Sequence, residues 1–106
     1  MPVYVIIETK IENLILYKKY IMKVKPIVEK YKGNYLVRGG NIIPLSNDWM
    51  PERVIVIEFP TVEDVNLCFG SQEYQEISTL RENSTKSKAI IVEAYTRENT
   101  TDSGEL

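Results

Sequence analysis

Arg38 stands directly before Gly39 and Gly40. Glycines let a ligand approach the backbone, and a guanidinium grips a carboxylate through two parallel hydrogen bonds. This triplet is therefore the first candidate contact for a small anionic ligand. The same residues also fit a strand bulge beside an ordinary ion pair. Glu58 closes a run of β-branched residues near the end of an expected strand. Burial there would raise its pKa and suit it to general-base work, while a strand-end ion pair is the plainer role. Tyr17, Tyr74 and Trp49 could wall a pocket, and a tyrosine hydroxyl can donate to a carbonyl or enolate oxygen; core packing with one satisfied polar tip is the alternative. Arg81 lies seven residues beyond Tyr74 and could reach the same site or pair locally. Glu58 and Tyr74 form the candidate catalytic pair. Arg38, Gly39, Gly40, Trp49, Arg53, Ser71, Arg81 and Tyr17 form the candidate substrate-binding set.

Several chemistries are excluded by residue type. The 106-residue chain has no histidine, which removes Ser-His-Asp and Cys-His catalysis, imidazole metal sites and a histidine-ligated haem. One cysteine, Cys68, permits no internal disulfide and no cysteine-rich zinc site. It sits among apolar helical positions without a basic neighbour, so packing explains it. No carboxylate cluster has metal-site spacing, the glycines form no phosphate loop, and no cofactor is expected.

Charge is divided along the chain. Residues 1–40 hold eight Lys/Arg against three Asp/Glu, and residues 41–106 hold five against twelve, for a net charge of −2. A lysine-rich solvated helix face accounts for the first segment without a nucleic-acid partner, and arginines do not alternate with aromatics as on a single-strand platform. The apolar runs are too short to span a membrane, and no leader pattern precedes Val3, so a cytoplasmic protein without nucleic-acid or membrane partners is expected.

The elements that must position these residues follow from periodicity. Val3 to Glu8 reads as a strand. Asn13 can cap a helix whose apolar stripe is Leu14, Tyr17, Ile21, Val24, Val28 and Tyr31. Pro26 should break or kink that helix, and Gly33 should stop it. Asn34 to Ser46 reads as a strand interrupted by a bulge at Gly39-Gly40, followed by a turn over Asn47 to Pro51. Arg53 to Phe59 is the clearest strand. Thr61 caps a helix with Val65, Cys68 and Phe69 inward, and Ser71 caps another with Tyr74, Ile77 and Leu80. Lys88 to Tyr95 is the last strand. One domain over 1–95 is expected, with a polar, disordered tail over 96–106.

The order β-α-β-β-α-β predicts an α+β, ferredoxin-like fold: a four-stranded antiparallel sheet with helices on one face. In an antiparallel arrangement Glu8 approaches Arg53 and Lys88. The strands are apolar on both faces, through Tyr4, Ile6, Val54, Val56, Ile90 and Val92 and their intervening partners. The uncovered face calls for a second copy, sheet against sheet.

Six segments in this order resemble the uncharacterised "domain of unknown function 1330" family: Tyr35-Leu36-Val37-Arg38-Gly39-Gly40, Asp48 to Arg53, Val56-Ile57-Glu58-Phe59-Pro60, Ser71-Gln72-Glu73-Tyr74-Gln75, Leu80-Arg81 and Lys86-Ser87. The resemblance covers about Pro2 to Ala94. Gln72 departs from it, since a proline is expected there. The family is similar to other branches of the dimeric α+β barrel superfamily, which implies a ferredoxin-like protomer and a face-to-face homodimer. Distant members of that superfamily include cofactor-independent monooxygenases, lactone isomerases and haem enzymes. Two functions are carried forward. One is a small-molecule enzyme of isomerase or cofactor-independent oxygenase type, acting on a carbonyl or carboxylate compound. The other is a non-catalytic homodimeric ligand-binding or interaction module. Convergence of Arg38, Glu58 and Tyr74 on one cavity would separate them.

Overall fold

The protein is described by a computed structural model covering residues 1–96. The elements run β1 (Val3–Ile11), α1 (Leu14–Lys30), β2 (Asn34–Arg38), β3 (Arg53–Phe59), α2 (Val62–Phe69), α3 (Gln72–Ser84) and β4 (Thr85–Glu93). The strands form one antiparallel sheet in the order β2-β3-β1-β4. This is the ferredoxin-like fold, with the second helical segment divided into α2 and α3. No helix among the described residues is long and apolar enough to cross a membrane.

The helix starts are chemically specified. Asn13 Oδ1 accepts from the Leu16 amide at 3.1 Å, Thr61 Oγ1 from Asp64 at 3.1 Å, and Ser71 Oγ from Tyr74 at 3.1 Å. Each satisfies one of the amides that a helix leaves without an internal partner. The end of α1 is more unusual. The Gly33 amide donates to Val28 O at 2.8 Å and the Lys32 amide to Glu29 O at 3.2 Å, the paired bonds of a Schellman motif. The left-handed position of that motif is Lys32, with φ 72°. Gly33 is needed for space instead, because a Cβ there would lie 2.4 Å from Val28 Cγ1 and 2.9 Å from the Phe59 ring.

Three expectations are corrected. The break at Pro26 does not occur, and α1 runs unbroken through it. Pro26 is exposed, and the carbonyl it cannot serve belongs to exposed Met22, where water can take the bond. β2 ends at Arg38, eight residues short of Ser46. Its irregularity falls between Tyr35 and Val37, and Gly39 then leaves the strand at φ 73°. β4 starts at Thr85, three residues before Lys88, and ends at Glu93 before Tyr95. It starts early because α3 passes straight into it: the Ser84 carbonyl accepts from the Glu12 and Asn13 amides, and the Thr85 hydroxyl donates to Arg81 O at 2.8 Å. The tail from Arg97 onward lies outside the described residues.

The two sheet faces differ in cover. Val3, Val5, Ile55, Ile57 and Phe59 point toward the helices and are buried with Tyr17, Tyr20, Val24 and Val28 of α1. On the other face no helix lies over Tyr4, Ile6, Val54, Val56, Ile90 and Val92, which alternate with the buried set. Ile90 is 59% exposed. The helix layer also stops short of β4, so Ile91, whose register partner is buried Val5, stays 44% exposed on the helix side.

Candidate functional site

Where the helices fail to cover β4, a cleft of about 710 Å³ opens. Val5 and Ile7 of β1 form its floor, Ala89 and Ile91 of β4 one side, and Phe69, Tyr74 and Arg81 the other, with Tyr20 at the back. The walls are mostly apolar, the usual character of a small-molecule site. Aromatic rings stiffen them. Tyr74 meets Phe69 edge-on at 5.0 Å and Tyr20 edge-on at 6.3 Å between centroids.

One polar chain crosses these walls. Arg81 Nε donates to the Tyr74 hydroxyl at 3.0 Å, and the Tyr74 and Tyr20 hydroxyls share a hydrogen bond of 2.9 Å. Three donor hydrogens serve two bonds, so one phenolic hydrogen is left over whichever way the chain is directed. Burial first, and Tyr74 beside it second, push the Tyr20 pKa far above the ordinary tyrosine value. Tyr20 is therefore a neutral donor across the physiological range. A phenol backed by a second phenol and a guanidinium can stabilise developing negative charge on a carbonyl oxygen.

The structure distributes the candidate residues among separate places. Tyr74 and Arg81 meet in the cleft. Tyr17, Arg38 and Arg53 line a smaller space deeper between α1 and the sheet. There the Arg38 guanidinium stacks on Tyr35 at 4.8 Å and donates to Ile21 O, and Arg53 lies over the Tyr17 ring at 5.5 Å. Gly39 packs against Arg53, since a Cβ on it would lie 2.0 Å from Nη1, while Gly40 faces open space. Ser71 is occupied as the cap of α3, and its hydroxyl also donates to Cys68 O at 2.7 Å. Trp49 is 64% exposed outside the cleft, donating to Glu8 Oε1 at 3.0 Å.

Glu58 is not brought to Tyr74. It pairs in register with Tyr4 and Asn34, one residue out of phase with the buried Ile57 and Phe59, so it points to the sheet face away from the helices. Arg38, Glu58 and Tyr74 therefore do not converge. Glu8 lies opposite Lys88 as expected, but Arg53 is opposite Thr9. Cys68 is fully buried, and its thiol is pushed up to about 11 by that burial and then by Glu73, which leaves it a packing residue. Among the described residues no group of three His, Cys, Asp or Glu is placed to hold a metal ion.

Tyr20 is the site residue that the sequence reading passed over. The signal was present: Tyr17, Tyr20, Val24 and Val28 also have helical spacing, and they are the residues of α1 that are buried. The stripe through Leu14 and Ile21 predicts a buried Leu14, which the structure leaves 54% exposed.

Comparison with known proteins agrees with this architecture. The profile of the family described as "Domain of unknown function (DUF1330)" matches residues 2–95. No curated protein sequence matches the chain. A solved protein of unknown function from Rhodopseudomonas palustris superposes with a TM-score of 0.77 at 17% identity, covering 90% of this chain and 83% of that one. SnoaB, a cofactor-independent oxygenase from Streptomyces nogalater, gives a TM-score of 0.64 at 6% identity, covering 93% and 98%. A dimeric protein of unknown function with a ferredoxin-like fold, from Bacteroides fragilis, gives 0.62 at 12% identity, covering 88% and 96%. At these identities the likeness is one of fold.

Proposed function

The chain belongs to the DUF1330 family, and from that premise we propose that it is a homodimeric small-molecule enzyme of isomerase or cofactor-independent oxygenase type. Its substrate is an apolar carbonyl compound seated in the cleft between α3 and β4. The observation that carries this reading is the Arg81–Tyr74–Tyr20 chain, a set of linked donors at the back of an apolar cavity. Such a chain donates to a carbonyl oxygen and stabilises negative charge that develops on it. SnoaB has the same fold and needs no cofactor, which makes the chemistry compatible with this scaffold. The uncovered sheet face is the surface on which a second copy would sit, and the dimeric state of the Bacteroides protein supports a dimer as such. A buried, unbridged thiol at Cys68 suits a cytoplasmic setting.

The second reading, a non-catalytic ligand-binding module, is favoured by the placement of Glu58 on the far side of the sheet, away from the cleft. One experiment addresses both. Small molecules that accompany the purified protein are identified by mass spectrometry, then titrated against wild type, Tyr74→Phe and Arg81→Gln. The expected result is a carbonyl compound held about tenfold less tightly by Tyr74→Phe, the worth of one hydrogen bond. Turnover of that compound, with product formation or oxygen uptake lost in Tyr74→Phe, supports the enzyme. Unchanged binding in both variants rejects the cleft as the site, and binding without turnover selects the module.

A further inference from the structure

One charge in the cleft has no counter-charge. Arg81 is half-buried on the side formed by α3, and the cleft around it is walled by Val5, Ile7, Phe69 and Ile91. A guanidinium stays charged at every physiological pH, and apolar surroundings make an uncompensated charge costly. Among the described residues Arg81 takes part in no ion pair. Exposed Glu82 also borders the cleft, but its carboxylate stays beyond ion-pair distance. Lys88 is the second cation at the lining. It alternates with Ser87 and Ala89 and stands opposite Glu8, so its side chain points to the other sheet face.

The free end of Arg81 is held in position. Nε donates to the Tyr74 hydroxyl at 3.0 Å, and Tyr74 is fixed in turn by the Tyr20 hydroxyl and the Phe69 ring. The two Nη groups have no hydrogen-bond partner among the described residues, and neither is closed off from the surface. What remains is a planar fork of donors whose spacing matches the two oxygens of a carboxylate. Water can take those hydrogens but does not offset the charge.

We propose that the Nη fork of Arg81 is a carboxylate-binding subsite of the cleft, and that the substrate is a 2-oxo or 3-oxo acid with an apolar tail. This rests on the cleft as the carbonyl site for the other half of the ligand. Nε and the Nη groups share one carbon, Cζ. A ligand that meets both the fork and the spare phenolic hydrogen of the Tyr74–Tyr20 pair therefore carries its carboxyl and carbonyl carbons adjacent or one carbon apart. The tail lies along Val5, Ile7 and Ile91, and a cleft of about 710 Å³ has room for it beyond the head group.

Three probes separate the parts. One is 4-phenyl-2-oxobutanoate. Its methyl ester keeps the carbonyl and the tail without the charge, and 4-phenylbutanoate keeps the charge without the oxo group. Each is titrated by calorimetry against wild type, Arg81→Gln, Tyr74→Phe and Lys88→Gln at fixed pH and ionic strength. Wild type is expected to bind the oxo acid about tenfold or more tightly than the ester, the worth of a charge-assisted pair. Arg81→Gln should erase that ratio, and Lys88→Gln should leave it unchanged. The ratio in wild type and in Lys88→Gln decides the matter if Arg81→Gln does not fold. An ester bound as tightly as the acid, a ratio kept in Arg81→Gln, or a ratio lost in Lys88→Gln overturns the subsite. Ester binding that still weakens in Tyr74→Phe would then leave the cleft standing as the carbonyl site. Equal binding of 4-phenylbutanoate and the oxo acid would keep the carboxylate subsite and strike the oxo group. No saturable binding of any probe overturns both.

Discussion

The difference between Lys32 and Gly33 is the sharpest residue-scale feature of the chain. Sequence reading assigns the end of α1 to Gly33, which is right about place and wrong about cause. The left-handed backbone falls on Lys32, and Gly33 is fixed by contact with Val28 and Phe59. Lys32→Gly should therefore stabilise the protein by about 1 kcal/mol, the cost of a left-handed backbone at a non-glycine residue. Gly33→Ala should destabilise it by about 1–3 kcal/mol or more through overpacking. Urea titration of both variants measures the contrast, and equal effects would refute the distinction. The tyrosines give a pH expectation. Tyr20 is raised far above its ordinary value, and Tyr35 is pushed up to about 12, in both cases chiefly by burial. Both groups ionise more readily in the unfolded chain. Their contribution is whole below the ordinary value of 10.0 and is lost as pH climbs above it. Stability should fall above that pH, with phenolate absorbance appearing together with unfolding.

At the scale of elements, the sequence was most legible where a cap or an unbroken apolar run marked the segment. β1, β3 and α2 begin where Val3, Arg53 and Thr61 place them, although β1 runs past Glu8 to Ile11, where it still pairs with Thr85 of β4. It was least legible where tertiary contacts decide. Nothing local announces that α3 feeds β4 without a turn, because the linking bonds come from Glu12 and Asn13, far away in the chain. Nor does the run through Ile42, Ile43 and Leu45 reveal that no neighbouring strand receives it; Ile43 is 89% exposed. The same limit applied to the site. The residue types were readable, but which sheet face Glu58 occupies depends on a pairing register one residue wide. Two predictions belong here. Ser71→Ala should cost about 1 kcal/mol by uncapping α3. The link between α1 and α3 should respond to acid and base. Lys30 and Tyr31 both bond Glu73, with Tyr31 donating at 2.9 Å. The Lys30 hydrogen bond is the main cause holding the Glu73 carboxyl below its ordinary 4.5, and the Glu73 hydrogen bond raises Lys30 above its ordinary 10.5. The carboxylate's contribution is complete above pH 4.5 and fades as pH drops through its lowered value. The ammonium's contribution is complete below pH 10.5 and fades as pH rises through its higher one. Glu73→Gln should flatten the acid limb of a stability–pH curve and lower its neutral plateau slightly, because the carboxylate's contribution is what the variant removes.

On the scale of the whole molecule, the described residues form a slab 17 Å thick and 46 × 36 Å across, with helices on one broad side. Dual-faced strands were enough to anticipate that the other side would lack cover, since alternation places Ile6 and Val56 opposite Val5 and Ile57. If a second copy supplies the cover, Ile6→Glu and Val56→Glu should each convert a sedimenting dimer into a monomer at micromolar concentration, because an introduced carboxylate cannot be buried unpaired. Dimers that survive both changes would place the interface elsewhere.

The position of β4 at the end of the β2-β3-β1-β4 order has a practical outcome. Among the described residues no fifth strand faces its outer row of peptide groups, and both its flanks are greasy from Ala89 to Val92. Such a border is a template on which further chains can stack. Lys86 and Lys88 at one end and Glu93 at the other discourage that, and the stretch between them carries no charge. Concentrated stocks should therefore thicken into ribbons that begin at Ile90 and Ile91, and a lysine installed at Ile90 should keep them clear.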